Sequence, residues 1–230
     1  MPVRGWSMMG AGLALWLSGE ARAEWPDHYL SRLQAYAMLQ SLNAELLSNR
    51  SATAVLEGWC RRHQLGPADA TIVAVRDRNA TAEASAEQLA RLRVAANSEL
   101  RYRRVELRCG ERVLSRAENW YVPARLTPEM NRLLDETDTP FGRVVAPLQP
   151  FRQSISAQLL WSPLGPDGSC PSTPADGAAL DIPAELLQHR ALLYASDMQP
   201  IAEVSEVYQR SVLDAGYRAC ASCAEPATTE

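Results

Sequence analysis

The sequence predicts an α+β domain built on an antiparallel sheet. Three observations carry this reading. Apolar residues at helical spacing crowd into residues 29–63, strand-like alternation dominates residues 100–209, and successive strand-like runs are joined mostly by short turns. Hydrophobic residues make up 47% and charged residues 22% of the 230-residue chain, which allows one hydrophobic core of moderate size and rules out wholesale disorder.

The elements follow in order. Leu30, Leu33, Ala37, Leu42 and Leu46 predict a first helix over residues 29–47. Ser51 is placed to cap a second helix running to His63, with Val55, Leu56, Trp59 and Cys60 on one apolar face. Residues 70–75 form a short β-branched run and predict a strand, and residues 79–97, rich in Ala, Glu, Gln and Arg, predict a helix. Residues 100–108 and 113–122 flank Cys109-Gly110-Glu111 and predict a hairpin. Thr127 and Pro128 supply the cap and first position of a short helix to Leu134, and residues 138–142 predict a turn. Residues 151–161 predict a strand with Phe151, Ile155, Ala157, Leu159 and Trp161 on one face. A Pro-, Gly- and Ser-rich loop spans 165–177, and two strands follow at 190–195 and 201–209.

The N-terminus reads as an export signal. Arg4 precedes an apolar run over residues 5–17, and Ala21-Arg22-Ala23 matches the small-x-small pattern of a cleavage site. The expected organisation is therefore a signal peptide at 1–23, a domain at 24–212 and a loosely ordered tail at 213–230, in a periplasmic or secreted protein. No later segment is long and apolar enough to suggest a stable membrane anchor once the signal is removed. In an oxidising compartment the Cys220-Ala-Ser-Cys223 pair reads as a local disulfide, and the odd total of five cysteines leaves at least one thiol without an intramolecular partner.

Composition excludes several chemistries. A net charge of −4 argues against a nucleic-acid partner, and the absence of any lysine removes Schiff-base and P-loop mechanisms. His28, His63 and His189 are not at metal-ligand spacing, and no cofactor is expected. One carboxylate stands out. Ala202, Val204, Glu206 and Tyr208 share a strand face, so Glu206 sits in a largely apolar stripe and needs a partner. Arg101, Arg103, Arg104 and Arg108 of the first hairpin strand are candidates to hold an acid beside it.

Further stretches carry a family resemblance. They are residues 51–57, residues 102–109 running on to Trp120-Tyr-Val-Pro123, and Thr139-Pro-Phe-Gly142 with Arg143. Phe151-Arg152, and Gln199-Pro200 through Ser205-Glu206-Val-Tyr208, complete the set. In order and spacing, over about residues 30–212, the chain resembles chorismate pyruvate-lyase and the related ligand-binding domains of bacterial transcription regulators. The resemblance implies a six-stranded antiparallel sheet with helices on one side and a ligand cavity enclosed beneath helical flaps. It implies a cofactor-free lyase that eliminates pyruvate from chorismate, or a related enolpyruvyl ether, to leave 4-hydroxybenzoate. The alternative is a non-catalytic exported module that binds a small aromatic acid. Carried over, Glu206 is the catalytic residue, Arg104 the ligand-carboxylate arginine, Phe141 and Gly142 a ligand-contacting turn, and Ala52 the flap contact. Spacing to Cys109 points to Arg104, whereas strand parity points to Arg103, which shares a face with Val105 and Leu107.

Overall fold

The computed structural model describes residues 25–170 and 178–217. The signal segment 1–23 and the Cys220–Cys223 pair lie outside the described residues. Among those described, no helix is long and apolar enough to cross a membrane.

Six antiparallel strands form one sheet in the order β1-β2-β3-β6-β5-β4. They are β1 Ile72–Asp77, β2 Arg101–Cys109, β3 Arg112–Tyr121, β4 Phe151–Leu159, β5 Glu185–Tyr194 and β6 Pro200–Gln209. The helices are α1 Tyr29–Ser48, α2 Ala52–Arg62, α3 Ala86–Leu92, α4 Pro128–Glu136 and α5 Phe141–Val144. The expected α+β sheet is present, and α1, α2, α4 and α5 cover one face of it. Of the described helices, α3 departs from this arrangement and packs on the other face, with Leu92 and Ala84 against Trp120 and Leu192.

Local sequence accounts for the helix starts. Ser51 Oγ accepts the Ala54 N–H, Thr127 Oγ1 accepts the Met130 N–H with Pro128 behind it, and His28 Nδ1 accepts the Ser31 N–H. The helix predicted over 79–97 contracts to α3. Ser85 and Gln88 form a capping box that fixes its start. Arg93, left-handed at φ 52°, ends it with its N–H turned back to Ala90 O. Residues 138–142, expected as a turn, continue into the short helix α5, and β5 begins five residues earlier than the predicted 190.

Two apolar patterns divide differently from expectation. On α1, Ala35, Leu39, Leu42 and Leu46 are buried, while Leu30 and Leu33 face outward. In β4 the register shifts between Ser154 and Ser156. This bulge swaps the strand's faces, so Ala157 and Leu159 pair with inward-facing His189 and Leu187, whereas Phe151 is left 49% exposed.

The main core lies between the sheet and α1–α2. Trp59 and Trp25 donate their indole N–H groups to Val212 O and Leu213 O, at 2.9 and 3.0 Å. The boundary expected after residue 212 thus falls inside a packed turn, Arg210–Leu213, in which Leu213 is buried. A disulfide joins Cys60 of α2 to Cys109 of β2, and Cys170 is a free thiol.

Candidate functional site

The inner sheet face gathers a polar cluster inside the core. On β6, Glu206 stands opposite Ala117 of β3 and His189 of β5. Arg152 reaches it from β4, with Nη2 2.5 Å from Glu206 Oε2 and the two side chains only 5% and 8% exposed. Tyr208 donates its hydroxyl to the same Oε2 at 3.1 Å. Among the described residues no hydrogen bond falls on Oε1. The β4 bulge makes this meeting possible, because ahead of it the even-numbered side chains point inward.

The neighbours feel the burial. It pushes the Tyr208 hydroxyl well above the ordinary tyrosine range, and the Glu206 charge adds to the effect. Burial pushes His189 down to about 4, with Glu206 pulling upward and Arg152 downward, so the ring is neutral at pH 7. Its Nε2 lies 2.9 Å from Asn43 Oδ1 of α1, the arrangement of a neutral imidazole donating to an amide oxygen. Burial also pulls on the Arg152 guanidinium, but Glu206 and Tyr208 outweigh it and hold the group above its ordinary value.

A second buried cation lies on the same face. Arg103 is 1% exposed, and Nη2 donates to Thr137 O and Thr139 O at 3.3 and 3.2 Å. Its Nε and Nη1 are buried without a hydrogen-bond partner, as is Arg152 Nε. Burial, helped by nearby Arg76, pushes the guanidinium down to about 10. No carboxylate among the described residues pairs with it. From the register, Arg103 and Glu206 lie two strands and two residues apart, about 12 Å between Cα atoms.

A cavity of about 30 Å³ lies under the start of α2, lined among others by Ala52, Phe141, Gly142, Asn119, Arg152 and Glu206. That volume holds about one water. Four of the five sequence-derived ligand positions thus line one cavity. Gly142 of α5 lies in its lining beside the start of α2. A Cβ there would stand 3.0 Å from Thr53 Oγ1 and 3.3 Å from Ser51 Oγ, so a larger residue would make these hydroxyls give by a few tenths of an ångström where α5 meets α2. Arg143 and Glu57 pair across the same two helices.

The fifth position is elsewhere. Arg104 lies on the outer face, half exposed, and pairs with Glu118 at 3.0 Å. It cannot share a ligand with Glu206 without passing through the sheet. Parity explains the difference, because Arg103 follows Val105 and Leu107 inward and Arg104 follows Glu106 outward. A larger hollow of about 550 Å³ lies on that outer face, bordered by Arg104, Glu106, Arg116 and Glu118. It is open, and these charges satisfy one another through the Arg104–Glu118 and Arg116–Glu106 pairs. Sequence reasoning missed Arg152, His189 and Tyr208 as partners of Glu206. Alternation along residues 202–208 signals Tyr208, but nothing in the composition of β4 signals the bulge.

No family model matches the chain. The uncharacterized protein y4mC of Sinorhizobium fredii is 45% identical over 196 residues, covering 84% of this chain and 83% of that protein. Among solved structures, the chain is similar to the possible transcriptional regulator YydK of Bacillus subtilis, with a TM-score of 0.41 and 14% identity. That match covers 76% of this chain and 65% of YydK. It is also similar to the effector domain of PhnF from Mycobacterium smegmatis, with a TM-score of 0.42 and 10% identity over 70% of this chain and 88% of that domain.

Proposed function

The chain belongs to the same family as protein y4mC of Sinorhizobium fredii, and we propose, from its own buried groups, that it is an exported binding module for a small aromatic carboxylic acid. The observation that carries the reading is the buried Arg103, with two donor nitrogens, Nε and Nη1, unpaired and no carboxylate partner among the described residues. An unpaired buried cation is costly, and an acid supplied from outside removes the cost. The ligand carboxylate takes Arg103, and a ring hydroxyl donates to Glu206 Oε1. The separation of about 12 Å suits a hydroxybenzoate bridged by the two side chains.

Binding requires the roof to lift. A hydroxybenzoate is several times larger than the 30 Å³ cavity, so the α2 start and α5 move apart as it enters. Export is supported by the leader pattern of residues 1–23 and by the Cys60–Cys109 disulfide.

Elimination of pyruvate from chorismate is the second reading, favoured by the enclosure of Glu206 away from bulk water. Binding alone fits better. Arg152 and Tyr208 already engage the carboxylate, which leaves it suited to accepting a hydrogen bond rather than to moving a proton. Incubation with chorismate, following pyruvate and 4-hydroxybenzoate together, separates the two. The expected result is no turnover and a rise in melting temperature with 4-hydroxybenzoate. Stoichiometric release of both products would replace the binding reading with the lyase.

A further inference from the structure

Helix α1 is apolar on two sides. The inner side packs into the core through Ala35, Leu39, Leu42 and Leu46. The outer side carries Leu30, Leu33, Ala37, half-buried Gln40, Ala44 and Leu47, positions that alternate steps of three and four along the helix, the spacing of a helix–helix seam, with exposed Ser41 and Ser48 along one edge. Leu30, Leu33 and Leu47 are 61%, 41% and 46% exposed. The seam runs the length of a 20-residue helix, about 30 Å.

Charge distinguishes this face from an ordinary wet surface. The charged residues of α1 are Arg32, buried against Asp27, and Glu45, paired with Arg62 of α2. Neither lies on the seam. Helix α4 shows the contrast, since its exposed side carries Arg132 between Glu129 and Glu136. One helix is dressed for water and the other is not.

We propose that the outer face of α1 is the interface of a homodimer, with a second copy of this chain docked α1 against α1 in antiparallel fashion. Two copies of an uncharged face meet with no like-charge repulsion, while a charged partner finds nothing to pair with. Antiparallel packing sets the two helix dipoles against each other favourably. The pattern is also self-complementary about the midpoint of residues 37 and 40. Leu30 of one copy falls opposite Leu47 of the other, Leu33 opposite Ala44, and Ala37 opposite Gln40. The alanines let the helices approach, and the leucines close both ends. The chain's own segments 171–177 and 218–230 contain no Leu, Ile, Val, Met or aromatic residue with which to cover the seam. The apolar leader, residues 1–23, is the rival occupant.

Sedimentation equilibrium on the protein purified as its own cells leave it tests the proposal. The expected mass across the micromolar range is that of two chains. Leu33→Glu and Ala37→Glu should each sediment as one chain with far-ultraviolet circular dichroism unchanged, and their melting should lose the dependence on protein concentration that the parent shows. Mixing Ala37→Glu with Gln40→Arg should restore the two-chain mass, because the register sets those positions opposite each other. A one-chain mass at every concentration overturns the proposal. So does a two-chain mass that survives both glutamate variants. A retained leader whose removal converts one chain to two would assign the seam to the leader, and overturns it as well.

Discussion

Arg152 and Glu206 form a buried ion pair across an intervening strand, Nη2 to Oε2 at 2.5 Å, with β5 lying between their own strands. The pair exists because one extra residue in β4 turns Arg152 toward the core. It fills the cavity end that would otherwise hold an isolated carboxylate.

Breaking this pair from one side should be expensive. Arg152→Met leaves Glu206 buried without its cation, and a loss of about 3–5 kcal/mol is expected from urea denaturation. Combining it with Glu206→Leu should recover most of that loss, because no uncompensated charge then remains. A double variant no more stable than Arg152→Met would mean that Tyr208 and His189, not charge, govern the site.

The two arginines of β2 should behave oppositely. Arg103→Met removes an unpaired buried charge, so the ligand-free protein should be at least as stable as the parent, while thermal protection by 4-hydroxybenzoate disappears. Arg104→Ala, on the outer face, should change stability by less than about 0.5 kcal/mol and leave protection intact. Protection lost in Arg104→Ala and kept in Arg103→Met would place the ligand on the other side of the sheet.

How far the sequence discloses this site depends on strand geometry. Alternation along residues 100–108 and 202–208 sorts Arg103 and Glu206 onto the inner face without any structure, and turn chemistry at Cys109-Gly110-Glu111 sets the hairpin that brings β2 and β3 together. Gly110 there has φ 56°, which is why a glycine occupies the corner. Spacing to a motif residue instead selects Arg104, one residue away and on the opposite face. Alternation fails in β4, where a bulge reverses the parity midway, and bulges leave little trace in composition. It fails also on α1, where apolar residues surround the helix and periodicity cannot tell core from seam.

His189 makes stability depend on pH. Its folded value of about 4 lies below the ordinary 6.5, so the unfolded chain binds the proton more tightly. Stability from this residue is complete above pH 6.5 and is lost as pH falls toward 4, by up to about 3 kcal/mol. Urea midpoints at pH 7 and pH 4.5 should differ less in His189→Gln than in the parent. Equal differences in the two proteins would show that the imidazole does not titrate on unfolding.

The Cys60–Cys109 bond closes a separation of 49 residues. By the chain-entropy relation, its reduction should cost about 4 kcal/mol, read as a lower urea midpoint in dithiothreitol. The Cys60→Ser/Cys109→Ser double variant should match the reduced parent and no longer respond to the reductant. A double variant as stable as the oxidised parent would show that α2 and β2 hold together without the bridge.

The two indole N–H bonds to Val212 O and Leu213 O carry a consequence for timing. Trp25 and Trp59 precede the carbonyls they need by 188 and 153 residues, so those carbonyls are synthesised long after the indoles. Until those residues leave the ribosome, the helical layer has no anchor for its aromatic wedges and the sheet lacks its central strand β6. A polypeptide built this way cannot close its core on its N-terminal half alone, and the helical layer stays open until two segments more than 150 residues apart have met.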